Sequence, residues 1–327
     1  MNQSTQRIEL PKRMADQTEK RKKIVIDGPP KYPWYLRLIR FGFSTFGPFF
    51  PNAAAKQAIK LFSTPRKRAK HKVSDLVMEQ AKVFEFMFKG KILKGYEWGS
   101  GDQTVLLVHG WESRGTALRS FVPILLEKGF KVVTFDAPAH GNSAGKQTNL
   151  VEFGGAIKAI INQMGGVYGI VSHSLGGAAT MFALSNLQQT QQLKRLVLIA
   201  SPSRILPAME GFLKLIRAPK AVAKAFYSIV KDGMKLPLAE MDTVKMMEKV
   251  SVEKVMLIHD KTDKIVPFTS SEYVAKHWRD STLVVTEGYG HYELVKVPAV
   301  LNVVQNFFKE ESASERPYAS SFDAGAC

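Results

Sequence analysis

Several stretches of this chain are almost wholly apolar: "VLLV" at 105–108, "VVTF" at 132–135, "GIVS" at 169–172, "LVLIA" at 196–200, "VMLI" at 255–258 and "LVVT" at 283–286. An alternating strand covers one face of a sheet; an uninterrupted apolar strand is covered on both. Between these runs lie stretches of helical periodicity near 115–128, 149–163, 174–187 and 297–309. Strand–helix alternation implies a mostly parallel sheet wrapped by helices, an α/β class. Two further strands precede the series, "KVFEFMF" (82–88) and "KILKGYEWG" (91–99), with a tight Lys89-Gly90 link. The expected sheet has about eight strands and no internal repeat.

One interval breaks the alternation. Residues 203–250 hold short helical patches and Pro207, Pro219 and Pro237. They are read as a small helical cap over the carboxyl edge of the sheet, where open α/β sheets bind ligands. Met209, Phe212 and Met241 are its candidate substrate contacts, although a Met-rich apolar segment is also what any small helical unit needs for its own core. The expected division is a basic, partly helical extension at 1–73, a catalytic domain at 74–310 and a disordered tail at 311–327.

Charge separates the extension from the rest. The chain carries a net +17. Residues 1–72 hold 17 Lys and Arg against 4 Asp and Glu, so they supply +13 of it. Residues 1–31 read as a mobile arm. In 32–63, Trp34, Leu38 and Phe41 recur at helical spacing, as do Tyr35, Ile39 and Gly42, with Arg37, Arg40 and Ser44 on another face. A second helix carries Ala55, Ile59 and Phe62. The favoured reading packs these helices on the domain with only charges in water. The alternative is peripheral membrane contact through residues 32–72. Aromatics at helical spacing are not a base-stacking groove, so no nucleic acid is expected. The lone Cys327 allows no disulfide framework, and no signal-like or spanning apolar stretch is present. A cytoplasmic protein is expected, membrane-associated under the alternative reading.

The chemistry centres on "VSHSLGG" (171–177). Ser174 follows a strand and opens a helix, and small Ser172 and Gly176 flank it. A sharp strand–turn–helix corner lifts a serine hydroxyl above the sheet; the bland reading is a helix-capping serine. A serine nucleophile needs a base and an orienting acid. His291, in "GYGHYE", follows the last strand, and "HDKTDKIVP" (259–267) follows the preceding one. Asp263 is the preferred acid, because Val266 and Pro267 stiffen its loop; Asp260 is the other candidate. Backbone N–H groups of Leu175 and Trp111 would hold an oxyanion.

Together, "HGW" (109–111), "DAPAHGNS" (136–143), "SHSLGG", "DKIVP" and "GYGH" resemble the α/β-hydrolase family over about residues 80–310. The Ser, Asp, His order is the one used in that fold. The resemblance implies a serine hydrolase with catalytic Ser174, Asp263 and His291, acting on a small-molecule carboxylic ester or thioester through an acyl-enzyme. It would be carboxylesterase-, lipase- or thioesterase-like, with no cofactor and no metal. Ser172 stands where the family usually has glycine. "HGW" resembles the single-glycine class of oxyanion loop, which implies esters of simpler alcohols. Serine at the corner argues against the family's epoxide hydrolases and dehalogenases, whose nucleophile is a carboxylate. Other acyl or C–C bond hydrolysis on the same triad, or a non-catalytic binding protein on the same fold, are the competing readings. Asp136, His109, His140, His173 and His259 are expected to be structural, with His173 facing away from Ser174.

Overall fold

The computed structural model describes residues 5–13, 33–69, 75–187, 193–234 and 237–308; the tail 311–327 and most of the 1–31 arm lie outside the described residues. The strands are β1 (Gln6–Glu9), β2 (Lys82–Phe88), β3 (Lys91–Trp98), β4 (Thr104–Val108), β5 (Lys131–Phe135), β6 (Gly169–His173), β7 (Leu193–Ile199), β8 (Val252–Asp260) and β9 (Ser281–Thr286). They form one nine-stranded sheet in the order β1-β9-β8-β7-β6-β4-β5-β3-β2. Pairing is parallel from β1 through β5, and antiparallel at β5–β3 and β3–β2.

The double-sided cover follows from the apolar runs. Leu106 and Val108 point into one core cluster, Val105 and Leu107 into the other, and all four are fully buried. The first cluster lies beneath helices α1 (Trp34–Phe46) and α2 (Pro51–Phe62); the second meets the short α3 (Leu76–Glu79) and α4 (Phe121–Leu126). Then come α5 (Leu150–Gln163), α6 (Leu175–Ser185), α7 (Leu206–Leu215), α8 (Lys220–Met234), α9 (Thr243–Met247) and α10 (Thr269–His277), all contributing to the first cluster. Short α11 (Gly290–Glu293) and α12 (Pro298–Phe307) close the chain, and Val300 and Val304 of α12 fill the second cluster.

Two details differ from the sequence reading at the N-terminus. Part of the arm is a ninth strand, because the outer edge of β9 has unpaired backbone groups. Gln6–Glu9 pairs with it in parallel, and Leu10 N–H continues the ladder to Val285 O at 2.9 Å. The extension's helices also pack differently. Leu36 and Phe43 are the buried residues of α1, whereas Trp34, Leu38 and Phe41 are exposed. In α2, Ala55 and Ala58 are fully buried, Ile59 and Phe62 are partly buried, and the helix packs along α8. The Arg40 guanidinium donates to Leu215 O of α7 at 2.8 Å.

The 203–250 interval supplies α7, α8 and α9 between β7 and β8. The Lys89-Gly90 link has φ of 48° and 73°, the paired positive values of a two-residue hairpin turn. Strand β4 sits between β5 and β6, so the chain leaves it first to one side and then to the other. The crevice at the carboxyl ends of β4 and β6 is the switch point of the sheet.

Candidate active site

Ser174 stands at that crevice. Its φ of 55° and ψ of −130° are strained values for a non-glycine residue, held by the turn from β6 into α6. Close packing makes this turn depend on small neighbours. A Cβ on Gly176 would lie 2.2 Å from His109 O. A Cβ on Gly110 would lie 2.9 Å from the Ser174 Cβ. Ser172 fits fully buried, and its hydroxyl donates to Val197 O at 3.2 Å. A serine at this position thus leaves the corner intact.

The Ser174 hydroxyl donates to His291 Nε2 at 2.9 Å, and His291 Nδ1–H donates to Asp263 Oδ2 at 2.7 Å. The other Asp263 oxygen, Oδ1, accepts from Ile265 N–H at 2.7 Å and Val266 N–H at 3.0 Å. Burial pushes the Asp263 carboxyl up. Hydrogen bonds from His259, His291 and those two backbone groups outweigh it and hold the carboxyl well below the usual range. Asp260 turns elsewhere. It accepts from Thr262, from the Thr286 hydroxyl at 2.7 Å and from Tyr289 N–H at 3.0 Å, tying the acid loop to the histidine loop.

His259, His173, His140 and His109 are scaffolding with specific tasks. His259 is fully buried; its Nε2 donates to Val266 O at 3.0 Å and lies 3.4 Å from Asp263 Oδ2, while Nδ1 accepts from the Ser271 hydroxyl at 2.7 Å. It therefore does more than pack: it holds the acid. His173 donates from Nε2 to His291 O at 3.0 Å, with ring centroids 4.7 Å apart. It fixes the backbone of the base. His140 Nε2 accepts from Glu112 N–H at 3.0 Å. Asp136 accepts from Gly115 N–H at 2.7 Å and Asn142 N–H at 2.8 Å, anchoring the turn after β5 as expected.

His109 sets the loop after β4. Its Nε2 accepts from Ala137 N–H at 3.0 Å, so Nδ1 carries the proton and donates to Gly110 O at 2.7 Å. A trans peptide points its N–H opposite to its carbonyl. Holding the Gly110 carbonyl therefore aims the Trp111 N–H the other way. The Leu175 N–H, first in α6, has no acceptor within its own helix.

Burial lowers His109 to about 3, with His140 adding to the effect, and lowers His173 to about 4, with His291 adding to it. Both are neutral when folded, while their unfolded counterparts titrate near 6.5. The unfolded chain thus binds more protons below that value, and the contribution of these groups, complete above about pH 6.5, is lost as pH falls towards their folded values. At pH 5 each is expected to cost about 2 kcal/mol relative to pH 7.5. Urea unfolding at the two pH values checks this; an unchanged midpoint would contradict it.

Ser174, Leu175 and Trp111 open onto a cavity of about 1540 Å³. Met209 and Phe212 line it. Met241 does not. The Arg204–Asp242 ion pair, at 2.7 Å, pins the adjacent residue, and Met241 is buried in the core instead. The wall that sequence reading missed comes from the extension: Leu36 and Ile39 of α1 and Phe62 of α2, whose ring lies 5.1 Å from Phe212 and 6.1 Å from Phe226. Among the described residues, no three His, Cys, Asp or Glu side chains are gathered to hold a metal.

A model of the alpha/beta hydrolase family matches residues 105–301, more than half of the chain. The chain belongs to the alpha/beta hydrolase family. The chain is 24% identical over 168 residues to the uncharacterized hydrolase YugF of Bacillus subtilis, covering 50% of this chain and 54% of that protein. It thus spans about half the length of this curated relative. Among solved structures, an esterase of Pyrococcus furiosus superposes with a TM-score of 0.56 at 18% identity, over 76% of this chain and 96% of that one. A 2-hydroxy-6-oxo-6-phenylhexa-2,4-dienoate hydrolase from Rhodococcus sp. strain RHA1 gives 0.52 at 18% identity, over 70% and 100%. At such identities these likenesses establish the fold.

Proposed function

We propose that this hydrolase cleaves carboxylic esters or thioesters of apolar acyl groups through a Ser174 acyl-enzyme. The observation that carries the reading is the unbroken relay from Ser174 Oγ through His291 to a buried, ionised Asp263. His291 Nε2 takes the hydroxyl proton as Oγ attacks the acyl carbon. Asp263 stabilises the imidazolium and keeps its Nδ1 protonated. The N–H groups of Leu175 and Trp111 receive the developing oxyanion. His291 then protonates the leaving group, and water, activated by the same base, releases the acid.

The acyl preference follows from the cavity. Its lining is dominated by side chains such as Ile39, Phe62, Ile205, Met209 and Phe226, with Arg66 and Lys89 among the charged lining residues. A p-nitrophenyl ester series from acetyl to palmitoyl tests this. Each methylene buried is expected to add about 0.8 kcal/mol, roughly fourfold in kcat/KM, until the cavity is filled. Met209→Trp is expected to cut kcat/KM for the long esters by at least about tenfold while sparing the acetyl ester. A flat series unaffected by that substitution would contradict the acyl assignment.

A further inference from the structure

Helix α1 is apolar on two opposite sides. Leu36, Ile39 and Phe43 face inward. Trp34, Leu38 and Phe41, at helical spacing on the other side, are 73%, 61% and 62% exposed. The exposed surface runs on through the turn to α2, where Phe46, Phe49 and Phe50 are 58%, 77% and 64% exposed. Half of the large hydrophobic side chains exposed among the described residues thus fall within 34–50, a concentration rather than the usual scatter. A helix that merely packed on the domain would need only its inner side to be apolar.

Charge points to the occupant. Residues 33–69 contain seven Lys or Arg and no Asp or Glu. Arg37, Lys56, Lys60, Arg66 and Lys67 are exposed. A second copy meeting this face about a two-fold axis would set the same basic patch against itself. An anionic surface with an apolar interior satisfies both the aromatics and the cations; Trp, Tyr and Phe favour such a boundary, and basic residues beside it are held by the headgroups. Among the described residues no helix is long and apolar enough to cross a membrane, so the attachment lies on the surface.

We infer that the outer face of α1 and the α1–α2 turn form a docking surface for anionic lipid bilayers. The inner side of the same helix supplies Leu36 and Ile39 to the cavity wall, and Tyr35 lines it at the exposed margin. Docking therefore brings the bilayer to the rim of the cavity that opens at Ser174. Binding itself does not depend on the proposed ester chemistry.

The test is flotation of the full chain with phosphatidylcholine vesicles, with and without phosphatidylserine, at low and high salt. Wild type and Ser174→Ala are expected to float with the phosphatidylserine vesicles, and less so in high salt. The double variant Trp34→Ser/Phe41→Ser is expected to lose at least about tenfold in binding. Arg37→Glu is expected to lose roughly fivefold or more. Both variants should keep wild-type turnover of a soluble ester, while Met87→Ser, an exposed residue on the far edge strand, should bind as wild type. Failure of wild type to float, or equal flotation of the double variant, would overturn the inference. So would a concentration-dependent dimer, seen by sedimentation and abolished by the same substitutions, in protein that ignores vesicles. Loss of ester turnover in Ser174→Ala leaves the flotation result untouched, so the two readings fail separately.

Discussion

Ser174→Ala is expected to lower ester turnover by roughly 10⁴–10⁶-fold, with KM nearly unchanged. Under the proposed acyl-enzyme chemistry the hydroxyl supplies the attacking atom; it makes one hydrogen bond, at 2.9 Å to His291 Nε2, and offers little binding surface. Alanine keeps the tight corner, because the room needed there is at Gly110 and Gly176 and no larger group enters it. The protein should remain folded, so a fall in kcat reads chemistry. Initial rates on a short-chain ester, compared with thermal unfolding, make the measurement. A variant that retains more than a tenth of wild-type kcat would exclude Ser174 as nucleophile.

Asp263→Asn is expected to reduce kcat by about 10⁴-fold. The orientation of the substituted amide is dictated by its surroundings. Its oxygen must take the place of Oδ1, which accepts from Ile265 and Val266 N–H, so its NH₂ faces His291 Nδ1 and His259 Nε2. A donor opposite Nδ1 forces the imidazole proton onto Nε2, where it can no longer accept from Ser174. Asp260→Asn separates role from neighbourhood. Asp260 is satisfied by Thr262, Thr286 and Tyr289, so its substitution is expected to cost about 1–3 kcal/mol of stability with a far smaller loss of kcat. The reverse ranking of the two variants in kcat would exchange their assignments.

Motifs at strand ends were the readable part. Each chemical residue lies one loop beyond an apolar run, and such runs declare buried strands without long-range information. The preference for Asp263 over Asp260 rests on Val266 and Pro267 stiffening the loop; the structure adds a contact that no such pattern reveals, the Val266 N–H that Asp263 accepts. Strand β1 was not readable. "QRIE" has one apolar residue and is extended only because β9 offers an open edge. His259 sits in the strand β8 itself, and nothing local marks it as the residue that holds the acid. The cavity wall is hidden for a different reason. Leu36, Ile39 and Phe62 lie far along the chain from Met209 and Phe212, and only the packing of the extension's helices on α7 and α8 brings them together. Helical periodicity also could not say which apolar side of α1 is inward, since it has two.

The central claim, a serine nucleophile raised on the β6–α6 corner, is tested most directly by a fluorophosphonate probe read by intact mass and peptide mapping. Wild type is expected to take up one equivalent, mapped to Ser174, and Ser174→Ala none. Equal labelling of both proteins, or an adduct mapped to another residue, would contradict it.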